Sequence, residues 1–150
     1  MKIKHYYNAL IHSHATPEEV AGGFALGVFV SMTPTLGLHM ILAAGFAALF
    51  KKNAIAAALG TWVTNPLTLF PVYYFTHRVG QTMMGESRLK ILRPDSIRDL
   101  FHMGKEIFIP LLLGGILVGL LAAFVSYFFV KRLYPILKKK KKELIAKIHE

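Results

Sequence analysis

Long apolar stretches alternate with short polar interruptions along this chain. One apolar stretch runs from Val20 to Phe50, a second from Ala54 to Val79, and a third from Ile107 to Val130. A helix rises 1.5 Å per residue, so about 20 residues cross a hydrocarbon core of about 30 Å. The third stretch has that length without a break, which predicts one transmembrane helix over residues 107–132.

The first two stretches are each broken in the middle by a proline that follows a polar residue. Thr33-Pro34-Thr35 interrupts the first stretch, and Thr64-Asn65-Pro66 interrupts the second. Thr and Asn cap helix starts and proline fits the first helical turn, so each break is predicted to begin a new half-helix. Because each half is too short to cross a bilayer, the sequence favours two re-entrant hairpins, with kinked crossings as the alternative.

The predicted fold class is therefore an all-α membrane protein with two proline-broken helical hairpins, one transmembrane helix and amphipathic terminal helices. Residues 1–15 form an interfacial helix, 16–80 hold the two broken segments, and 81–106 form a polar connection with a short helix after Pro94. Residues 133–150 form a basic tail.

The broken segments are predicted to begin at a capping box, because Thr16, Pro17 and Glu19 have the required spacing. The two topologies differ in where they place Lys51-Lys52. Hairpins place this turn opposite the tail, and crossings place it beside the tail. Positive charge at both ends of the last span leaves the orientation open.

Charge is kept apart from the apolar stretches. The chain has 18 Lys and Arg against 8 Asp and Glu, a formal net charge of +10, and no acidic residue lies between Val20 and Gly85. Basic residues at the ends of apolar spans are typical of proteins that face anionic lipid. We therefore expect membrane lipids, especially anionic ones, as partners and do not expect nucleic acid. The absence of cysteine excludes disulfides and thiolate chemistry.

Binding chemistry is expected at the two breaks. Half-helix N-termini carry unpaired amides and partial positive charge, which favour an anion, and matched interruptions mark binding sites in transporters. The lack of carboxylates argues against a buried cation or proton site. The predicted substrate-binding residues are Thr33, Pro34, Thr35, His39, Thr61, Thr64, Asn65, Pro66, Thr68 and Arg78.

Several of these residues also have a structural explanation. His39 shares a helix face with Thr35, where it contacts either a phosphate or a neighbouring carbonyl. Threonines in apolar helices often return their hydroxyl to their own backbone. Arg78 either holds a lipid phosphate or anchors the segment at the interface. The sequence offers no paired carboxylates, Ser-His-Asp order or metal-ligand cluster, so no enzyme, cofactor or bound metal is expected.

The region from Gly23 to Gly80 resembles a bacterial membrane family known only as domain of unknown function 2062 (DUF2062). The resemblance is carried by Pro34-Thr35-Leu36-Gly37-Leu38-His39 and by Gly60-Thr61-Trp62-Val63-Thr64-Asn65-Pro66-Leu67-Thr68. It implies a small multi-pass protein of the inner (cytoplasmic) membrane, joined in some relatives to a glycosyltransferase-like domain, and it implies no activity. Relatives often carry glutamine at the position of His39, which argues against an obligatory proton role for it.

Two functions compete at this point. The first is a transporter or flippase-like module for an anionic lipid or polyprenyl-phosphate headgroup bound at paired half-helix N-termini. The second is a non-transporting oligomeric scaffold that holds a membrane enzyme, for example a glycosyltransferase, through its basic faces and Lys138–Lys142. Homo-oligomers are expected in both cases, because a chain this small covers little of its own broken backbone.

Overall fold

The computed structural model describes residues 15–35, 37–85 and 97–148, with side chains for residues 104–140 in the last range. This part of the chain is all-α, as predicted, and contains no β-strand. Its elements are α1 (Pro17–Met32), α2 (His39–Leu49), α3 (Ala54–Gly60), a 3₁₀ helix (Thr61–Val63), α4 (Leu69–Met83) and α5 (Ile97–Ile148). The interfacial helix predicted over residues 1–15 falls outside the described residues, apart from residue 15.

The start of α1 is the predicted capping box. The Thr16 hydroxyl accepts a hydrogen bond from the Glu19 amide at 3.2 Å, and the Glu19 carboxylate accepts one from the Thr16 amide at 2.8 Å. Pro17 occupies the first helical turn, where its missing N–H costs nothing. Glu18 pairs with Lys131 of α5 at 3.2 Å, so α1 begins beside the end of the apolar part of α5.

The first broken segment folds back on itself. Ala43 and Ala47 of α2 are buried against Val30 of α1. The turn after α2 ends at Asn53, whose backbone amide donates to the carbonyl of Glu19 at 3.0 Å. Because Glu19 lies in the first turn of α1, α2 returns along α1 to the level where α1 began, and the two helices form an antiparallel hairpin.

Glycine allows α3 to approach α1 closely. A methyl group at Gly27 of α1 would overlap the carbonyl oxygen of Ala57 on α3, and one at Gly60 would overlap the carbonyl of Phe24. Such small-residue contacts are the usual way in which membrane helices bring their backbones together. α3 runs beside α1 in the same direction, because Asn53 lies at the start of α1.

The second broken segment does not fold back. α3 packs on α1 and α2, whereas α4 packs on α5, so these two halves form no hairpin with each other. A methyl group at Gly80 would overlap the carbonyl of Pro110, and one at Gly114 would overlap the carbonyl of Thr76. The prediction of a second hairpin is wrong, because these contacts hold α4 further along α5 instead of beside α3.

α5 is a single helix of 52 residues, about 78 Å long, with Pro110 and Pro135 inside it. Its part Gly104–Lys140 is long and apolar enough to cross a membrane, and no other helix in the described ranges passes that test. At the predicted boundaries, residues 107 and 132, the polarity of the side chains changes but the helical backbone continues. Lys, Glu and Leu are all good helix formers, so the helix continues from the apolar run into the basic tail.

A polar centre at the first helix break

Both breaks lie opposite the middle of the apolar stretch of α5. Methyl groups at Gly115 and Gly119 would contact Met32, the last residue of α1. Those glycines are close to the midpoint of residues 107–130. Thr64 brings the second break to the same level, since its hydroxyl donates to the carbonyl of Ser31 at 3.0 Å.

The carbonyl of Thr33 is the point where three segments meet. The Tyr73 hydroxyl of α4 donates to this oxygen at 2.8 Å, and His39 Nε2 lies 3.4 Å from it and 3.3 Å from the Tyr73 oxygen. The Thr33 hydroxyl donates to Val30 at 2.7 Å and lies 3.3 Å from the Thr35 hydroxyl. We call Thr33, Thr35, His39 and Tyr73 the polar centre.

Hydrogen-bond geometry assigns the tautomer of His39. The Tyr73 hydroxyl gives its hydrogen to the Thr33 carbonyl, so its oxygen is left to act as an acceptor. The carbonyl is an acceptor only. His39 Nε2 faces both oxygens, so the hydrogen is assigned to this nitrogen.

Thr33 caps the end of α1 and not the start of α2. Its backbone amide bonds to the carbonyl of Val30, and α2 begins only at His39, after a residue that makes no side-chain cap. The half-helix N-terminus predicted at the first break starts at His39 and not at Pro34, and it lies beside the C-terminus of α1. Gly37 has a φ of 83°, a left-handed conformation that reverses the chain. The helix therefore starts after this turn and not at Pro34. The C-terminus of α1, with partial negative charge, and the N-terminus of α2, with partial positive charge, therefore both lie at this turn.

Asn65 caps the second break as predicted. Its Oδ1 accepts from the amides of Leu67 and Thr68 at 2.9 and 3.1 Å, and the Thr68 hydroxyl accepts from the Asn65 amide at 2.9 Å. Pro66 has no amide hydrogen to satisfy. This reciprocal pair has the bonds of a capping box with threonine in the place of glutamate, and it opens the turn that leads into α4. The amides that were expected to bind an anion are thereby already bonded.

The remaining predicted residues lie outside the polar centre. The Thr61 hydroxyl donates to the Ala58 carbonyl of α3, one turn earlier in the chain, at 2.7 Å, which is the structural role that competed with lining a cavity. Arg78 is exposed on α4. It follows Tyr73 by five residues, about 8 Å along the helix axis, so the fold does not bring it to the break.

Sequence reasoning missed three polar residues on α4 as candidate site residues. Tyr73, His77 and Gln81 follow one another at intervals of four and therefore share a helix face. Tyr73 belongs to the polar centre, and His77 and Gln81 are 8% and 3% exposed. The signal that identifies them is a run of polar side chains at helical spacing inside an apolar segment.

Comparison with known proteins agrees with the resemblance and extends it. The chain matches a family described as an uncharacterized protein conserved in bacteria (DUF2062) over residues 1–143, far beyond the region from Gly23 to Gly80. No curated protein and no solved structure matches it at the level that marks a relative. Because the match covers almost the whole sequence, the chain belongs to the DUF2062 family.

Proposed function

We propose that the protein is a multi-pass protein of the bacterial inner membrane with one re-entrant hairpin and two crossings. α1 and α2 enter and leave on one side, α3 and α4 cross together, and α5 returns. The support is the pattern of contacts along α5. The start of α1 lies at Lys131, the two breaks lie near Gly115, and Gly80 lies at Pro110.

The end that holds the start of α1 is on the cytoplasmic side. Within the described ranges, residues 15–19, 51–53 and 131–148 belong to this end and contain ten Lys and Arg, against three in residues 78–85 and 97–106. Excess Lys and Arg mark cytoplasmic segments. A single hairpin places Lys51-Lys52 together with the tail. The excess of Lys and Arg at this end then favours one orientation, which the sequence alone left undecided.

The function is that of a transporter-type module whose binding site is the polar centre. The observation that carries this proposal is the Thr33 carbonyl at half depth, held by side chains from α2 and α4. Interrupted helices near the bilayer midplane are typical of transporter binding sites. No catalytic step, metal or cofactor is part of the proposal.

The chemistry of the polar centre favours a substrate group that donates hydrogen bonds. The carbonyls of Ser31 and Thr33 end α1 with partial negative charge, and the amides of the second break are bonded to Asn65. The Thr33 carbonyl already accepts from the Thr35 amide and the Tyr73 hydroxyl. A hydroxyl or ammonium group therefore fits the second lone pair of the Ser31 carbonyl beside Thr64. The phosphate of a phospholipid or polyprenyl phosphate belongs instead with the lysines at the cytoplasmic end.

Lipid movement in reconstituted liposomes tests the proposal. Acyl-labelled phosphatidylglycerol and phosphatidylethanolamine carry hydroxyl and ammonium groups, and phosphatidic acid carries phosphate alone. Tyr73→Phe removes the hydroxyl bonded to Thr33, and Tyr74→Phe changes the adjacent residue, which is 63% exposed. We expect Tyr73→Phe to slow the first two lipids about tenfold, the equivalent of one hydrogen bond, and Tyr74→Phe to leave them unchanged.

Two results would contradict this function. The first is an absence of protein-dependent movement for all three lipids. The second is faster movement of phosphatidic acid than of the other two, because that order requires a site for anions. Equal effects of the two tyrosine variants on lipid movement would show that Tyr73 is not part of the binding site.

A non-transporting scaffold is the second candidate, and the length of α5 favours it. α5 continues 18 residues past Val130, about 27 Å, and carries Lys138–Lys142 on this extension. A helix of that length outside the bilayer offers a binding surface to a protein partner or to a second copy of the chain. Deletion of residues 133–150 tests this function by cross-linking and co-purification. Loss of oligomers or partners with unchanged lipid movement supports the scaffold, and retention of all of them rejects it.

A further inference from the structure

A polar stripe runs along α4 away from the polar centre. Its members Tyr73, His77 and Gln81 are spaced by four residues, so each lies about 6 Å from the next along one face of the helix. Gly80, beside Gln81, contacts Pro110 of α5. Pro110 is close to the N-terminal end of the apolar stretch of α5. The stripe therefore reaches from half depth to the end of the apolar layer opposite the start of α1.

The stripe lies on the buried side of α4, together with Thr76 and Gly80, and the opposite side of the helix faces outward. His77 and Gln81 are 8% and 3% exposed, whereas Phe70, Tyr74 and Phe75 on the other side are 80%, 63% and 58% exposed. A soluble amphipathic helix has the opposite arrangement, with its polar face in water. Polar side chains inside a membrane protein face the bundle interior or a water-filled cavity and mark substrate pathways.

Gln81 adds an observation that the helix break does not explain. Its Oε1 is buried and accepts no hydrogen bond from any described residue. A buried amide oxygen without a donor destabilises a protein. Gln81 lies two turns away from Tyr73 and closes no helix end with its side chain, so this oxygen indicates a donor that comes from outside the chain.

We infer that the face formed by Tyr73, His77 and Gln81 lines an access path to the polar centre from the membrane surface opposite the lysine-rich end. Water and the hydroxyl or ammonium groups of a substrate are the donors that fit Gln81 Oε1. The identity of that substrate rests on the proposed function, whereas the path itself rests on the burial and spacing of these three residues.

Cysteine accessibility tests the path without any transport assay. The chain has no cysteine, so the labelling of each single-cysteine variant reports on the substituted position alone. His77→Cys and Gln81→Cys are compared with Phe75→Cys, which lies at similar depth but faces outward. The probe is a membrane-impermeant trimethylammonium methanethiosulfonate added to the outer face of spheroplasts. Because the reactive thiolate forms only where water reaches, we expect both stripe cysteines to react at least about tenfold faster than Phe75→Cys.

Equal reactivity of His77→Cys and Phe75→Cys would overturn the path. Labelled stripe cysteines without lipid movement would keep the path and reject the proposed function. Lipid movement with an unlabelled His77→Cys would keep the proposed function and reject the path. The two proposals therefore fail separately.

Gln81→Leu separates a binding role from a purely structural one. Leucine at position 81 removes the unpaired oxygen, so the variant should be as stable to heat as wild type when no substrate is bound. With a path in place, we expect about tenfold slower movement of phosphatidylglycerol at unchanged stability, the equivalent of one hydrogen bond. Thr82→Val is the control, since its exposed hydroxyl donates to the Arg78 carbonyl of the same helix. A wild-type rate for Gln81→Leu would contradict the role of this residue.

Discussion

The two proline breaks share a sequence pattern but build opposite ends of helices. Thr33 closes α1 and bonds back to Val30, whereas Asn65 opens the turn before α4 and bonds forward to Leu67 and Thr68. The chain reverses after the first break and continues after the second. A polar residue followed by proline therefore marks where a membrane helix is interrupted and leaves the direction of the next helix open.

The residues that follow each proline decide that direction. Three residues after Pro34, Gly37 adopts a left-handed φ of 83°, which starts the return of the chain. Two residues after Pro66, Thr68 returns its hydroxyl to the Asn65 amide and keeps the chain in a helical turn. Glycine and threonine at these positions thus separate a helical hairpin from a broken segment that continues in one direction.

Loss of the cap residue should have very different effects at the two breaks. Asn65→Leu leaves the Leu67 amide unpaired, whereas the Thr68 amide keeps its bond to the Asn65 carbonyl, and we expect the substitution to lower the free energy of unfolding by about 2 to 3 kcal/mol. Thr33→Val removes one hydroxyl from a Val30 carbonyl that keeps its bond to the Thr33 amide, so we expect about 1 kcal/mol. Thermal unfolding in detergent, followed by circular dichroism, measures both.

Thr61→Val is the control for this pair, because its hydroxyl also bonds back within its own helix. It should behave like Thr33→Val. If Asn65→Leu costs no more than either threonine variant, the second break is not stabilised by its cap.

The local part of the fold was readable from the sequence. The capping box at Thr16, the cap at Asn65 and the turn at the first break all depend on residues within a few positions of each other. The direction of α4 was not readable, because it depends on the contact between Gly80 and Pro110, 30 positions apart. Close approach of two backbones leaves only scattered glycines in a sequence, and these are common in apolar helices by chance.

The candidate site was located in part. Thr33 and His39 were predicted beside the first break, and they contact each other there. Tyr73 was missed as a site residue because it reaches Thr33 from 40 positions away, and only the packing of α4 brings it there. The C-terminus of α1 was missed as a part of the site. It lies beside the start of α2 because the chain reverses at Gly37.

Backbone strain gives a smaller test of the first break. Gly37 has open space where a side chain would be, so Gly37→Ala costs only the left-handed conformation, about 1 to 2 kcal/mol. Lys51 holds a φ of 52° in the turn after α2, and Lys51→Gly should raise the free energy of unfolding by up to about 1 kcal/mol. Unfolding midpoints of the two variants should move in opposite directions. A neutral Gly37→Ala would show that the reversal does not depend on glycine.

The smallest effect is expected at the capped start of α1, which differs from the cap at Asn65 in carrying a carboxylate beside it. The backbone amide of Glu18 at the helix start, followed by the hydrogen bond from Lys131, lowers the pKa of Glu18 below its usual value near 4.5. A lowered pKa in the folded state adds stability that is present above the usual value and is lost as the pH falls through the folded one.

Wild type should therefore lose slightly more stability than Glu18→Gln between about pH 6 and pH 3.5, and the difference is small because the pair is exposed. Thermal midpoints at the two pH values measure it. The Asn65 cap contains no titrating group, so the cost of Asn65→Leu should be the same at both values. A cost that changes with pH would mean that a charged group outside the cap reaches the second break. The break would then lie near water and not at the half depth that the binding site requires.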